Sequence, residues 1–148
     1  MERNCLCVCP GKEANTLILT DIRSPVLVDS SVWIDFFRSS ESTSLDLYIE
    51  ENLVSVNDIV LSELMPKLVL ERRTEVIQGL ESLNKVPLNI DWNLIRHYQV
   101  LNLKNGVNKV GLPDLIILQQ VIEEKLTLFS YEKHFRLMQN FLKFDLMQ

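Results

Sequence analysis

Four acidic residues stand where the chain changes character. Asp29 directly follows the β-branched run Val26-Leu27-Val28, and Glu132 comes just after the apolar segment Leu126–Phe129. Asp114 follows Pro113 at the start of an apolar helical pattern, and Glu63 sits among Ile59, Val60, Leu61, Leu64, Met65 and Leu68. Each has an ordinary structural use. Asp29 suits a helix N-cap, Asp114 and Glu132 complement a helix dipole, and Glu63 fits a solvated helix face. Brought together, however, four carboxylates cannot all stay ionised without cations. Mg²⁺ or Mn²⁺ answers that demand, since hard cations prefer carboxylate and water oxygens. Such an ion polarises a phosphodiester, lowers the pKa of a bound water and stabilises the leaving oxygen. On this reading Asp29 and Asp114 are the main metal ligands, and Glu63 and Glu132 complete a second site or hold the nucleophilic water. Arg38, Lys67, Lys104, Lys109 and Lys133 are candidate phosphate contacts. Ser31 and Ser130 join Arg38 and Lys109 as the substrate-binding candidates, and Trp33, Tyr131 and Phe135 are candidate stacking rings for RNA bases.

The elements that must position these groups alternate. Val26–Val28 reads as a strand, followed by a helix carrying Val32, Trp33, Phe36 and Phe37, which are core candidates at helical spacing. Leu45–Ile49 suggests a short helix and Leu53–Val56 a second strand. Asn57-Asp58 starts a helix that Pro66 is expected to bend or interrupt, and residues 71–83 form another amphipathic helix. Val86–Leu88 is a brief extended piece, and Asp91 caps a helix running to about Leu103. The polar loop 104–111 precedes a helix through Ile122, then a buried strand at 126–130, a helix at 134–139 and a last strand within 141–146. Strands separated by helices point to an α/β fold with a parallel sheet covered on both faces. In such sheets functional groups collect at the carboxyl ends of strands, where Asp29, Asp114 and Glu132 are expected.

Composition narrows the remaining choices. The 148 residues suit one domain, and no apolar run approaches the roughly 18 residues of a membrane span. With 15 Lys+Arg against 20 Asp+Glu the net charge is −5, so a nucleic-acid role rests on a local site rather than a basic field. The 3 cysteines, Cys5, Cys7 and Cys9, have no downstream partner, which points to a reduced, cytoplasmic protein; soft-metal binding is the alternative use for them. Residues 1–24 read as an appendage and 25–148 as the domain. Neither His97 nor His134 has a serine on a G-x-S-x-G elbow, and no glycine-rich phosphate loop occurs.

The run Val26-Leu-Val-Asp29-Ser-Ser-Val-Trp-Ile-Asp-Phe-Phe-Arg38 resembles the opening motif of PIN-domain proteins, in particular the VapC toxins of toxin–antitoxin pairs. Asp58-Ile-Val-Leu-Ser-Glu63-Leu resembles the second acidic motif and Gly111-Leu-Pro-Asp114-Leu-Ile-Ile the third. Leu128-Phe-Ser-Tyr-Glu132-Lys-His-Phe135 resembles the fourth, with Glu132 where the family usually has Asp. The resemblance implies a three-layer α/β/α PIN fold with a mainly parallel sheet and a Mg²⁺- or Mn²⁺-dependent endoribonuclease. It also implies a homodimer and a small VapB-type antitoxin that blocks the site. Asp29, Glu63 and Asp114 carry over as metal-site residues, and Glu132 carries over with a side chain one methylene longer. Competing readings are an RNA-processing PIN nuclease without an antitoxin and a degenerate PIN module that binds RNA or protein.

Overall fold

A computed structural model describes residues 24–148; Cys5, Cys7, Cys9 and the rest of the expected appendage up to residue 23 lie outside the described residues. The strands are β1 (Val26–Val28), β2 (Val54–Val56), β3 (Asn84–Lys85), β4 (Thr127–Phe129) and β5 (Asp145–Met147). The helices are α1 (Ser30–Arg38), α2 (Ser44–Glu50), α3 (Asp58–Leu70), α4 (Thr74–Ser82), α5 (Trp92–Lys104), α6 (Leu112–Glu123) and α7 (Lys133–Met138). The strands form one sheet in the order β3-β2-β1-β4-β5, with every pairing parallel. Helices cover both faces, giving the three-layer α/β/α arrangement that the sequence pattern implies.

The apolar runs explain the layers. β1 is buried throughout, as a central strand of a doubly covered sheet must be, and Val32, Trp33, Phe36 and Phe37 of α1 pack into the same core. α6 buries seven consecutive residues from Leu115 to Val121, including Gln119 and Gln120. Those two amides are satisfied and pin the helix. Gln120 accepts from Asn57 Nδ2 at 2.7 Å and donates to the carbonyls of Val86 and Pro87, while Gln119 donates to the Asn89 carbonyl at 2.8 Å. Because Asn57 also caps α3, one buried amide pair ties the starts of α3 and the body of α6 to the sheet.

Three local expectations shift. Pro66 does not interrupt α3, which continues to Leu70. A proline deletes one backbone hydrogen bond, and here the lost partner is the carbonyl of the exposed Ser62, where such a loss costs least. β3 pairs at Asn84–Lys85, just before the expected 86–88, and Val86 adds one more backbone bond to Val56 at 2.9 Å. The last strand starts at Asp145 because residues 140–142 turn back onto Leu137 and Met138.

The sheet order also fixes where a cleft forms. From β1 the chain moves outward through β2 and β3, then returns to place β4 on the other side of β1. The crevice at such a reversal opens beyond the carboxyl ends of β1 and β4.

Candidate active site

Asp29 emerges at that reversal. It is only 3% exposed, caps α1, and its backbone N–H donates to the Phe129 carbonyl at 2.9 Å, which bonds the end of β1 to the end of β4. Its Oδ2 accepts from the Ser31 hydroxyl at 2.6 Å, the Ser130 hydroxyl at 2.9 Å and, at 3.4 Å, the Ser31 backbone N–H. Those hydroxyls are themselves placed: Ser31 Oγ accepts from the Tyr131 N–H and Ser130 Oγ from the Glu132 N–H. Ser31 and Ser130 therefore serve Asp29 and the β4–α7 turn. Oδ1 of Asp29 takes no hydrogen bond among the described residues.

Asp114 comes from a different element. Pro113 sits in the first turn of α6, and one residue further the Asp114 carboxylate reaches back so that Oδ2 accepts from the Gly111 N–H at 3.2 Å. His134 Nε2 lies 3.0 Å from the same oxygen, with the ring N–H aimed off the line between them. Burial pushes the Asp114 carboxyl above its ordinary value; His134 and the Gly111 N–H pull it back, and the negative charge of Asp29 adds to the rise. That influence places the two aspartates within each other's field.

Glu132 is half-exposed at the N-cap of α7, and its Oε2 lies 3.9 Å from His134 Nε2. Glu63 stands on the exposed side of α3 and lines a cavity of about 340 Å³ with Ile34, Phe37, Arg38, Lys67 and Arg73. The structure thus joins Asp29, Asp114 and Glu132 through Ser130 and His134, and sets Glu63 with Arg38 in a neighbouring cavity. Lys109 is exposed, with a left-handed backbone at φ 65°, in the loop before α6. Trp33 and Phe135 are sealed in the core, which removes them as stacking rings and leaves the 44% exposed Tyr131. His134 is the group sequence reasoning missed. Its place two residues after Glu132, at the same sheet edge, is the signal in the sequence that points to it.

The donor set is oxygen only, with one oxygen on each aspartate that takes no hydrogen bond among the described residues. That suits a hard divalent cation, which takes one or two carboxylates and keeps several waters. Among the described residues no group of three or more His, Cys, Asp or Glu side chains is gathered to cage an ion. No helix among them is long and apolar enough to cross a membrane.

Comparison with known proteins agrees with this layout. The PIN domain family matches residues 26–140. No curated protein matches the chain. Among solved structures, a chain of VapBC2 from Rickettsia felis, bound to a DNA fragment from its promoter, superposes with a TM-score of 0.66 at 18% identity, covering 82% of this chain and 96% of its own. DNA-bound VapBC from Salmonella typhimurium gives 0.66 at 14% identity, covering 84% and 98%. A toxin–antitoxin complex from Klebsiella pneumoniae gives 0.51 at 18% identity, covering 73% and 87%.

Proposed function

The chain belongs to the PIN-domain family, and from that premise we propose that it is a Mg²⁺- or Mn²⁺-dependent endoribonuclease, the toxin of a VapBC-type pair. The observation that carries this reading is the run of contacts that links Asp29 to Asp114 at the reversal of the sheet, in which Ser130 donates to Asp29 and accepts from the Glu132 N–H while His134 lies against both Glu132 and Asp114. The two carboxylates come from separate elements, lie within each other's field, and each keeps Oδ2 occupied while leaving Oδ1 free.

Asp29 and Asp114 would hold the metal through those free oxygens. When bound, the ion polarises the phosphodiester and supplies a water of lowered pKa. The Ser31 and Ser130 hydroxyls keep Asp29 from rotating. Glu132, at the N-terminus of α7, would take the one proton that the attacking water gives up, and Glu63, in its own cavity on the α3 side, would complete a second site. Arg38 and Lys109 contact phosphates of the RNA, and Tyr131 offers an exposed ring for a base. A VapB-type antitoxin is the partner that accompanies this reading, since structures with the same fold are toxin–antitoxin complexes, and a homodimer is what the resemblance to VapC toxins adds to it. The protein would act in the cytoplasm, where its RNA is.

One observation favours a second reading. Glu132, half-exposed where the family motif usually has Asp, suits a non-catalytic PIN module that binds RNA or protein. The deciding experiment incubates purified, antitoxin-free protein with a pool of structured RNAs in Mg²⁺, Mn²⁺ or chelator, beside Asp114→Asn. Metal-dependent cleavage lost in the variant supports the nuclease. No cleavage by folded protein gives the binding module.

A further inference from the structure

Asp29 and Asp114 are held by one oxygen each, yet their supports differ. Three donors converge on Oδ2 of Asp29, whereas Oδ2 of Asp114 has a single backbone N–H at 3.2 Å and one further neighbour, His134 Nε2, at 3.0 Å. A carboxylate on one hydrogen bond can rotate about its last side-chain bond and exchange its two oxygens. The imidazole nitrogen is buried, has no aligned hydrogen bond of its own, and lies between Asp114 and, at 3.9 Å, Glu132. A buried polar atom left in that state needs a reason.

We propose that His134 is a positioning residue of the metal site: 3.0 Å from Oδ2 of Asp114, its ring needs only a small turn to donate to that oxygen when the cation is bound, which keeps Oδ1 turned toward the cation and ties α6 to the β4–α7 turn that carries Glu132. This rests on the metal-dependent reading of Asp29 and Asp114. The imidazole is kept in place because its neighbour Phe135 is fully buried and α7 is anchored again by Met138, so the ring has little freedom to leave the carboxylate. His134 touches neither the metal nor the RNA.

The test is Mn²⁺ titration of the full chain by calorimetry, without RNA, in wild type, His134→Ala, His134→Gln and Asp114→Asn. Loss of such a supporting contact weakens metal binding by about 10- to 100-fold, and His134→Ala should fall in that range. His134→Gln, which retains an N–H donor, should recover part of the affinity, and excess Mn²⁺ should restore cleavage by His134→Ala. The electron paramagnetic resonance signal of bound Mn²⁺ should carry no nitrogen coupling. Wild-type affinity in His134→Ala, with binding lost in Asp114→Asn, overturns the positioning role and leaves the metal site standing. Nitrogen coupling in the wild type also overturns it, by making His134 a ligand. Unchanged binding in Asp114→Asn removes the metal-site reading and this role with it.

Discussion

The β1–α1 junction and the start of α6 each deliver one aspartate to the same cleft, but the fold treats them differently. Asp29 is part of the framework: it caps a helix, bonds β1 to β4 and receives three donors on one oxygen. Asp114 is 22% exposed, has one backbone donor and carries a charge that its surroundings disfavour. A single cleft thus combines a fixed carboxylate with an adjustable one. On the metal-dependent reading proposed above, the fixed one would set the position of the site and the adjustable one would gain most from a cation.

The largest expected effect treats the two alike. Asp29→Asn and Asp114→Asn should each lower metal-dependent RNA cleavage about a thousandfold, the rate equivalent of roughly 4 kcal/mol of lost stabilisation. Initial rates on one RNA in saturating Mn²⁺ measure this. If only one variant loses activity, the other aspartate is structural and the pairing fails.

Stability should separate them. Asp29→Ala removes a helix cap and strands buried hydroxyls, a loss of about 1–2 kcal/mol. Asp114→Asn should leave the melting temperature of metal-free protein at pH 7 equal to or above wild type, because it removes a charge whose ionisation the folded state opposes. The sign follows from linkage. A carboxyl raised in the folded state binds its proton more tightly there than in the unfolded chain. Its favourable contribution is complete below the ordinary value of 3.8 and is lost as pH rises through the folded value. Metal-free wild type should therefore lose stability over that window relative to Asp114→Asn, as thermal melts across pH would register. A parallel pH profile in the two proteins would end the contrast between fixed and adjustable acids.

A smaller effect tests the support under Asp29. Ser130 is fully buried, donates to Asp29 and accepts from Glu132, so Ser130→Ala unbinds both. The expected cost is about 1–2 kcal/mol in denaturant unfolding, with cleavage reduced about tenfold by a loosened Asp29.

The same contrast explains what could be read in the chain itself. Asp29 was legible because the apolar run Val26–Val28 ends on it and Ser30-Ser31 follow, all within six residues. Asp114 was legible through Pro113, and the parallel sheet through strands alternating with helices. The Asn57–Gln120 link and the contact of His134 with Asp114 were not, because their partners lie 63 and 20 residues apart and no local pattern records a contact across the fold. Glu63 was singled out for its apolar neighbours, yet Leu64 and Leu68 take the buried face and leave Glu63 on the other. Trp33 is buried as its helical spacing with Val32, Phe36 and Phe37 predicts, which leaves it no face for a base, and Phe135 is buried with it although no comparably long stripe marks it.

Glu132 gives the smallest and most discriminating effect. Its side chain is half-exposed, makes no cap hydrogen bond and meets His134 only at 3.9 Å, so nothing in the packing requires its extra methylene. Glu132→Asp should preserve or raise the cleavage rate, with a change of no more than about threefold, under 1 kcal/mol. The site would then depend on the framework aspartate and its adjustable partner, with Glu132 free to vary in length. A large loss would mean that this cleft is built around the longer side chain, and that the adjustable part of the site extends from Asp114 through His134 to Glu132. Rates for Glu132→Asp in the wild-type and His134→Ala backgrounds separate the two cases. Additive effects leave Glu132 outside the unit, and a loss that disappears when His134 is already absent places it inside.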